Sequence, residues 1–150
     1  MISEVLLLIN VCATLFMTGL IWFVQVVHYP LFAKVENESY QSYQELHQRL
    51  TTLVVGPPML IEAFSSVLLL WYLPAGVSTT VLLTGVGLVF LIWISTAALS
   101  VPCHGRLLKG FDSSAHKRLV ATNWPRTIGW TVRSGLMTYA TWQWAVSQHG

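Results

Sequence analysis

The sequence predicts an all-α integral membrane four-helix bundle, a single transmembrane domain over residues 1–150 built from two similar helical hairpins. Three observations carry this reading. First, 54% of the 150 residues are hydrophobic and only 9% are charged, against roughly a quarter charged in soluble domains. Second, no Asp, Glu, Lys or Arg occurs from Val5 to Ala33 or from Ala63 to Gly105, whereas one membrane crossing needs only about 20 apolar residues. Third, short phrases recur in order: "LIW" at 20–22 and 91–93, "HYP" at 28–30 and "SVP" at 100–102, "HQRL" at 47–50 and "HKRL" at 116–119. With two crossings per unit, the copies share orientation, related by an axis along the membrane normal. Two Leu-rich hairpins that merely look alike are the alternative.

The spacing predicts crossings at about 5–28, 51–73, 80–101 and 119–145. The first lacks a basic leading segment and a small-residue cleavage site, and its apolar run exceeds the ~7–15 residues of a signal peptide, so it is expected to be a permanent helix. Pro30 should end it, because proline disfavours helical geometry in the residue before it. In the connection, "SYQSYQELHQRL" places Tyr40, Tyr43, His47 and Leu50 on one face of a helix running into the second crossing. Interfacial anchoring is the alternative for these tyrosines. "GPPML" at 56–60 is expected to break the second helix, either to expose backbone to a ligand or as a packing kink. "LPAGVSTT" divides the second apolar stretch, Pro102 should end the third helix, and "GVG" at 85–87 gives that helix a small-residue surface. Asp112, Ser113 or Ser114 is expected to cap the fourth. There Asn123, Arg126, Thr127, Trp130, Arg133, Ser134 and Met137 share one stripe, which should line a cavity.

Charge orients the bundle. Lys34 and Arg49 fall in the first connection, Arg106, Lys109, Lys117 and Arg118 in the second, and Arg126 and Arg133 in the fourth helix. Positive charge marks the cytoplasmic side, so the N- and C-termini are expected outside, in a bacterial inner membrane. The net charge of +2 calls for no nucleic acid. Cys12 and Cys103 lie too far apart along the membrane normal for a disulfide.

Two groups of residues carry candidate chemistry. His28, His47, His104 and His116 all fall at inner helix ends, where neutral imidazoles could together bind a transition metal such as iron or copper, or a haem. No short metal motif is present, and solvation at the interface is the plainer explanation. Glu62 and Arg133 fall in mid-crossing, where an ionisable group costs roughly 2.5–3.5 kcal/mol and normally meets a partner inside the bundle. They are expected to lie close to each other. Glu62 comes fifteen residues after His47, which returns it to nearly the same helix face.

At "HYPLF", "PPMLIE" and "NWPRTIGWTVR" the sequence resembles a group of small, uncharacterised four-helix bacterial membrane proteins. In layout it is similar to membrane proteins of the anthrone-oxygenase type, through its length, its crossings and the cluster Asn123, Trp124 and Arg126. That resemblance implies oxidation of a lipophilic aromatic compound. The expected function is therefore a metal- or haem-dependent, oxidoreductase-like membrane protein with a cytoplasm-facing polar pocket for a lipophilic small molecule. Its histidines would bind the metal or haem, or one would act as acid and base. Arg126 and Arg133 would stabilise negative charge on the substrate, Glu62 would move a proton, and Asn123 and Trp130 would line the cofactor site. The alternative is a non-catalytic transporter or complex subunit, which at this size requires a homodimer.

Overall fold

The computed structural model describes residues 1–149. It is all-helical among those residues: α1 (Ile2–Phe23), α2 (Tyr29–Leu31), α3 (Asn37–Trp71), α4 (Thr79–Ser95), α5 (Val101–Leu107) and α6 (Ser113–Ser147). Helical turns join several of these, so that Ile2–Lys34, Asn37–Trp71 and Thr79–Leu107 each run on as one rod long and apolar enough to cross a membrane. The fourth rod, α6, is as long as α3, but its polar stripe lowers its hydropathy.

The prolines do not end the helices as expected. Proline has no N–H to give to the carbonyl four residues back, and its ring collides with that carbonyl. A π turn, with its i→i+5 spacing, widens the helix at such a point. π segments occupy Val24–His28 before Pro30 and Thr96–Ser100 before Pro102, and in both places the chain continues helically past the proline. The predicted break at "GPPML" is likewise absent, since α3 runs unbroken through Pro57 and Pro58. Pro125 also sits inside α6.

The long first connection is short in space. α3 begins at Asn37, so the predicted helix through Tyr40 and His47 is its first three turns. Tyr40 is fully buried there and meets Phe111 at a ring-centroid distance of 5.2 Å. It is therefore a core residue rather than an interfacial anchor, while Leu50 is exposed. Asp112 is the cap of α6: its Oδ1 accepts from the backbone N–H groups of Ser114 and Ala115 at 2.8 and 3.1 Å. Gly76 and Gly110 hold the two tight connections with φ of 73° and 125°, values that side chains disfavour.

Two apolar clusters fill the bundle. Leu7, Leu69, Leu82, Met137 and Ala140 pack at the end that holds the termini. Met17, Ile21, Phe32, Tyr40, Leu107 and Leu119 pack at the other. Between and within these clusters lie the buried polar side chains.

Candidate functional site

The deepest polar group is the expected ion pair. Glu62 and Arg133 have side-chain exposures of 1% and 0%, and Arg133 Nε donates to Glu62 Oε1 at 2.8 Å. Thr14 Oγ1 donates to the same oxygen at 2.8 Å, and Trp130 Nε1 donates to Oε2 at 3.0 Å. Arg133 Nη1 donates to the Gly85 carbonyl at 2.5 Å, and Nη2 donates to Asn10 Oδ1 and Ser66 Oγ at 2.9 and 2.7 Å. Desolvating two charges costs several kcal/mol each unless attraction and hydrogen bonds offset it, and here every helix of the bundle contributes a partner. Gly85 supplies more than a carbonyl. A Cβ there would stand 2.9 Å from Arg133 Nη1, so the small residue admits the guanidinium.

Beneath this pair lies a cavity of about 700 Å³ bounded by α1, α3, α4 with α5, and α6. Met17, Leu20, Ile21, Val55 and Met59 form apolar walls, and Trp130 closes the end nearest the ion pair. Tyr29, His47, Thr51, Ser100, His104 and Arg126 are among its polar lining residues. The cavity opens sideways. Thr52 and Leu60 on α3, with Trp93, Ala97, Val101 and Gly105 opposite them, line it and are also exposed on the outside of the bundle.

Tyr29 is the hub of the polar end. Its hydroxyl lies 3.0 Å from His104 Nε2 and accepts from Arg126 Nη2 at 3.3 Å. His104 Nδ1 lies 3.0 Å from the Gln44 amide nitrogen, while the Gln44 amide oxygen is buried without a partner. The Gln44 N–H donates to His104 Nδ1, which places the ring proton on Nε2, facing the Tyr29 hydroxyl. Arg126 is itself steered by Asn123, whose Oδ1 accepts from Nη2 and whose Nδ2 donates to Gln25 Oε1 at 2.8 Å. Gln25 sits on the first π segment.

The predicted site residues thus separate into groups. Arg126, Trp130, His47 and His104 border the cavity; Glu62, Arg133 and Asn123 do not. Asn123 holds Arg126, and the ion pair holds Trp130. His28 Nε2 lies 2.9 Å from His47 Nδ1, which is also 3.1 Å from Thr51 Oγ1. His116 stands apart, its Nε2 2.8 Å from the Tyr29 carbonyl and its ring against Phe111.

The donor set does not gather as the expected metal ion would need. Among the described residues no three His, Cys, Asp or Glu side chains gather around a point where an ion could sit. Both ring nitrogens of His104 are engaged within the protein.

Sequence reasoning missed Tyr29, Gln25, Gln44 and Ser100, together with Asn10 and Thr14. A signal existed in the first rod: within its apolar run, Asn10, Thr14, Thr18 and Gln25 are polar and recur at near-helical spacing. All but Thr18 are buried. No protein-family model, curated protein or solved structure matches the chain.

Proposed function

We propose that this protein is a membrane enzyme that takes a lipophilic small molecule from the bilayer and moves a proton at its polar head. One observation supports it above the rest: an apolar cavity, open on the flank of the bundle, that carries the Tyr29, His104 and Arg126 cluster. Ligand sites are typically apolar clefts of about 300–1,000 Å³ with a few convergent polar groups. Tyr29 and His104, beside the Arg126 cation, are the cavity-lining groups that can exchange a proton with such a head group. Trp130 bounds the space for the substrate body, and His47 with Thr51 offers further polar contact.

In this reading all four rods cross a bacterial inner membrane with the termini outside, and the cavity occupies the cytoplasmic half. The matching π segments before Pro30 and Pro102 support a bundle of two related hairpins. A transport role, the alternative, would require a path past Trp130 through the Glu62 and Arg133 pair, whose hydrogen bonds tie all four rods together.

Purification in mild detergent, followed by solvent extraction and mass spectrometry, tests the reading. A lipophilic compound should co-purify in near-stoichiometric amount and be reduced at least tenfold in a Gly56→Leu, Gly105→Leu double variant. At both positions an added Cβ meets nothing within 4 Å, so a larger side chain fills space beside the cavity without a clash at its root. Equal recovery from both proteins would overturn the proposal. Elemental analysis of the same preparation should find no stoichiometric transition metal.

A further inference from the structure

Two residues that line this cavity each carry a buried polar atom without a partner. Arg126 Nε and Ser100 Oγ are buried, neither makes a hydrogen bond, and both side chains line the cavity. The residues are 7% and 2% exposed. Buried polar groups are almost always paired, and a buried charge without a counter-charge is costly. Among the described residues no carboxylate pairs with Arg126; the ion pairs are Arg133 with Glu62 and the N-terminus with Glu4. Ser100 also differs from its neighbour one turn earlier. Thr96 Oγ1 donates to the Ile92 carbonyl at 2.8 Å, the usual way for a helical hydroxyl to satisfy itself, whereas Ser100 keeps its donor free.

Both residues lie on the wall that also carries Tyr29 and His104. Ser100 is one turn from His104 on the same rod, and His104 and Arg126 meet at the Tyr29 hydroxyl. Gln25 and Asn123 lock Arg126 from behind. A rigid cation and a free hydroxyl, beside a phenol and at the end of an apolar cavity, are complementary to a negatively charged oxygen on an apolar body.

We infer that the cavity binds its lipophilic ligand as an oxyanion, a carboxylate or phenolate, held by the Arg126 guanidinium and the Ser100 hydroxyl. This rests on the lipophilic-pocket reading above and adds the charge of the head group. For a phenol-type substrate, the clamp stabilises the anion left when the proton departs. Arg126 touches the ligand in this arrangement, while Asn123 and Gln25 act through Arg126 and are positioning residues.

The test uses full-length protein in phosphatidylcholine nanodiscs, with empty discs as the partition control. Three probes are compared: dodecanoate, dodecanol, and an alkyl-substituted nitrophenol whose visible absorbance reports its ionisation. The protein should bind at least one of the two anions about tenfold or more tightly than dodecanol, as expected for a charge-assisted hydrogen bond. Whichever anion shows this preference identifies the carboxylate or phenolate source. Arg126→Gln should abolish the preference and Ser100→Ala should reduce it several-fold, with anion binding falling far more than dodecanol binding in both. Should Arg126→Gln fail to fold, the anion-to-alcohol ratio of the unaltered protein and the Ser100→Ala variant still decide. Dodecanol bound as tightly as both anions would overturn the oxyanion inference and leave the lipophilic pocket standing. None of the three probes bound above the empty-disc level would overturn both.

Discussion

A carboxylate and a guanidinium withdrawn from water are stable only while each has the other, which makes Glu62 the residue whose loss should be felt most. Glu62→Gln keeps the shape of the side chain but leaves the Arg133 charge at zero exposure without a counter-charge. Breaking a buried pair from one side costs about 3–5 kcal/mol. The double variant Glu62→Gln, Arg133→Met removes both charges and should recover part of that loss. Denaturation by increasing sodium dodecyl sulfate, followed by far-ultraviolet circular dichroism, measures both. A double variant less stable than Glu62→Gln alone would show that the pair is not the dominant interaction there. These two residues were legible in the sequence because a charge in an apolar run has few reasons to exist. Tyr29 was not, since a tyrosine near a helix end reads as an interfacial anchor, and only the fold brings His104 and Arg126 to its hydroxyl.

Glycines along one helix separate positions that serve packing from positions that do not. In α4, a methyl group at Gly85 would lie 2.9 Å from Arg133 Nη1, whereas at Gly87 it would meet nothing within 4 Å. Alanine in place of a helix-interior glycine stabilises by roughly 0.5–1 kcal/mol where there is room. Gly87→Ala should therefore raise the unfolding midpoint slightly, and Gly85→Ala should lower it, destabilising by about 1–3 kcal/mol as the guanidinium is displaced. The same denaturation series compares them, and equal shifts would refute the close approach. The sequence showed "GVG" as one small-residue surface and could not say which glycine was needed. It located the rods and the Asp112 cap well, because apolar runs and capping residues are local signals. It misjudged the prolines for a related reason: proline forbids a regular α turn, and nothing local announces that a π turn will absorb it. Asp112→Ala should cost about 1 kcal/mol through loss of the two N–H partners at the start of α6.

The position of the cavity decides how a ligand arrives. Its open side lies between α3 and the α4 to α5 rod, where Leu60, Trp93 and Val101 are exposed beside it. Exposed aromatic and aliphatic side chains over most of both rods suit contact with acyl chains. The ion pair closes the way towards the termini, and on the membrane reading proposed above a molecule reaching Tyr29 through the flank would come from lipid. Sequence alone could place the polar stripe of α6 indoors, but not the gap, which depends on how far apart two other helices pack. Spin labels test the geometry in a Cys12→Ser background, since Cys12 is exposed and Cys103 is buried. Labels at Leu60→Cys and Ala97→Cys should collide with dissolved oxygen, which concentrates in lipid, more often than with a water-confined nickel chelate. A label at Lys109→Cys, in the connection between α5 and α6, should show the reverse. Preference for the chelate at 60 and 97 would mean that the gap faces water, and the substrate would then have to be soluble enough to arrive through it.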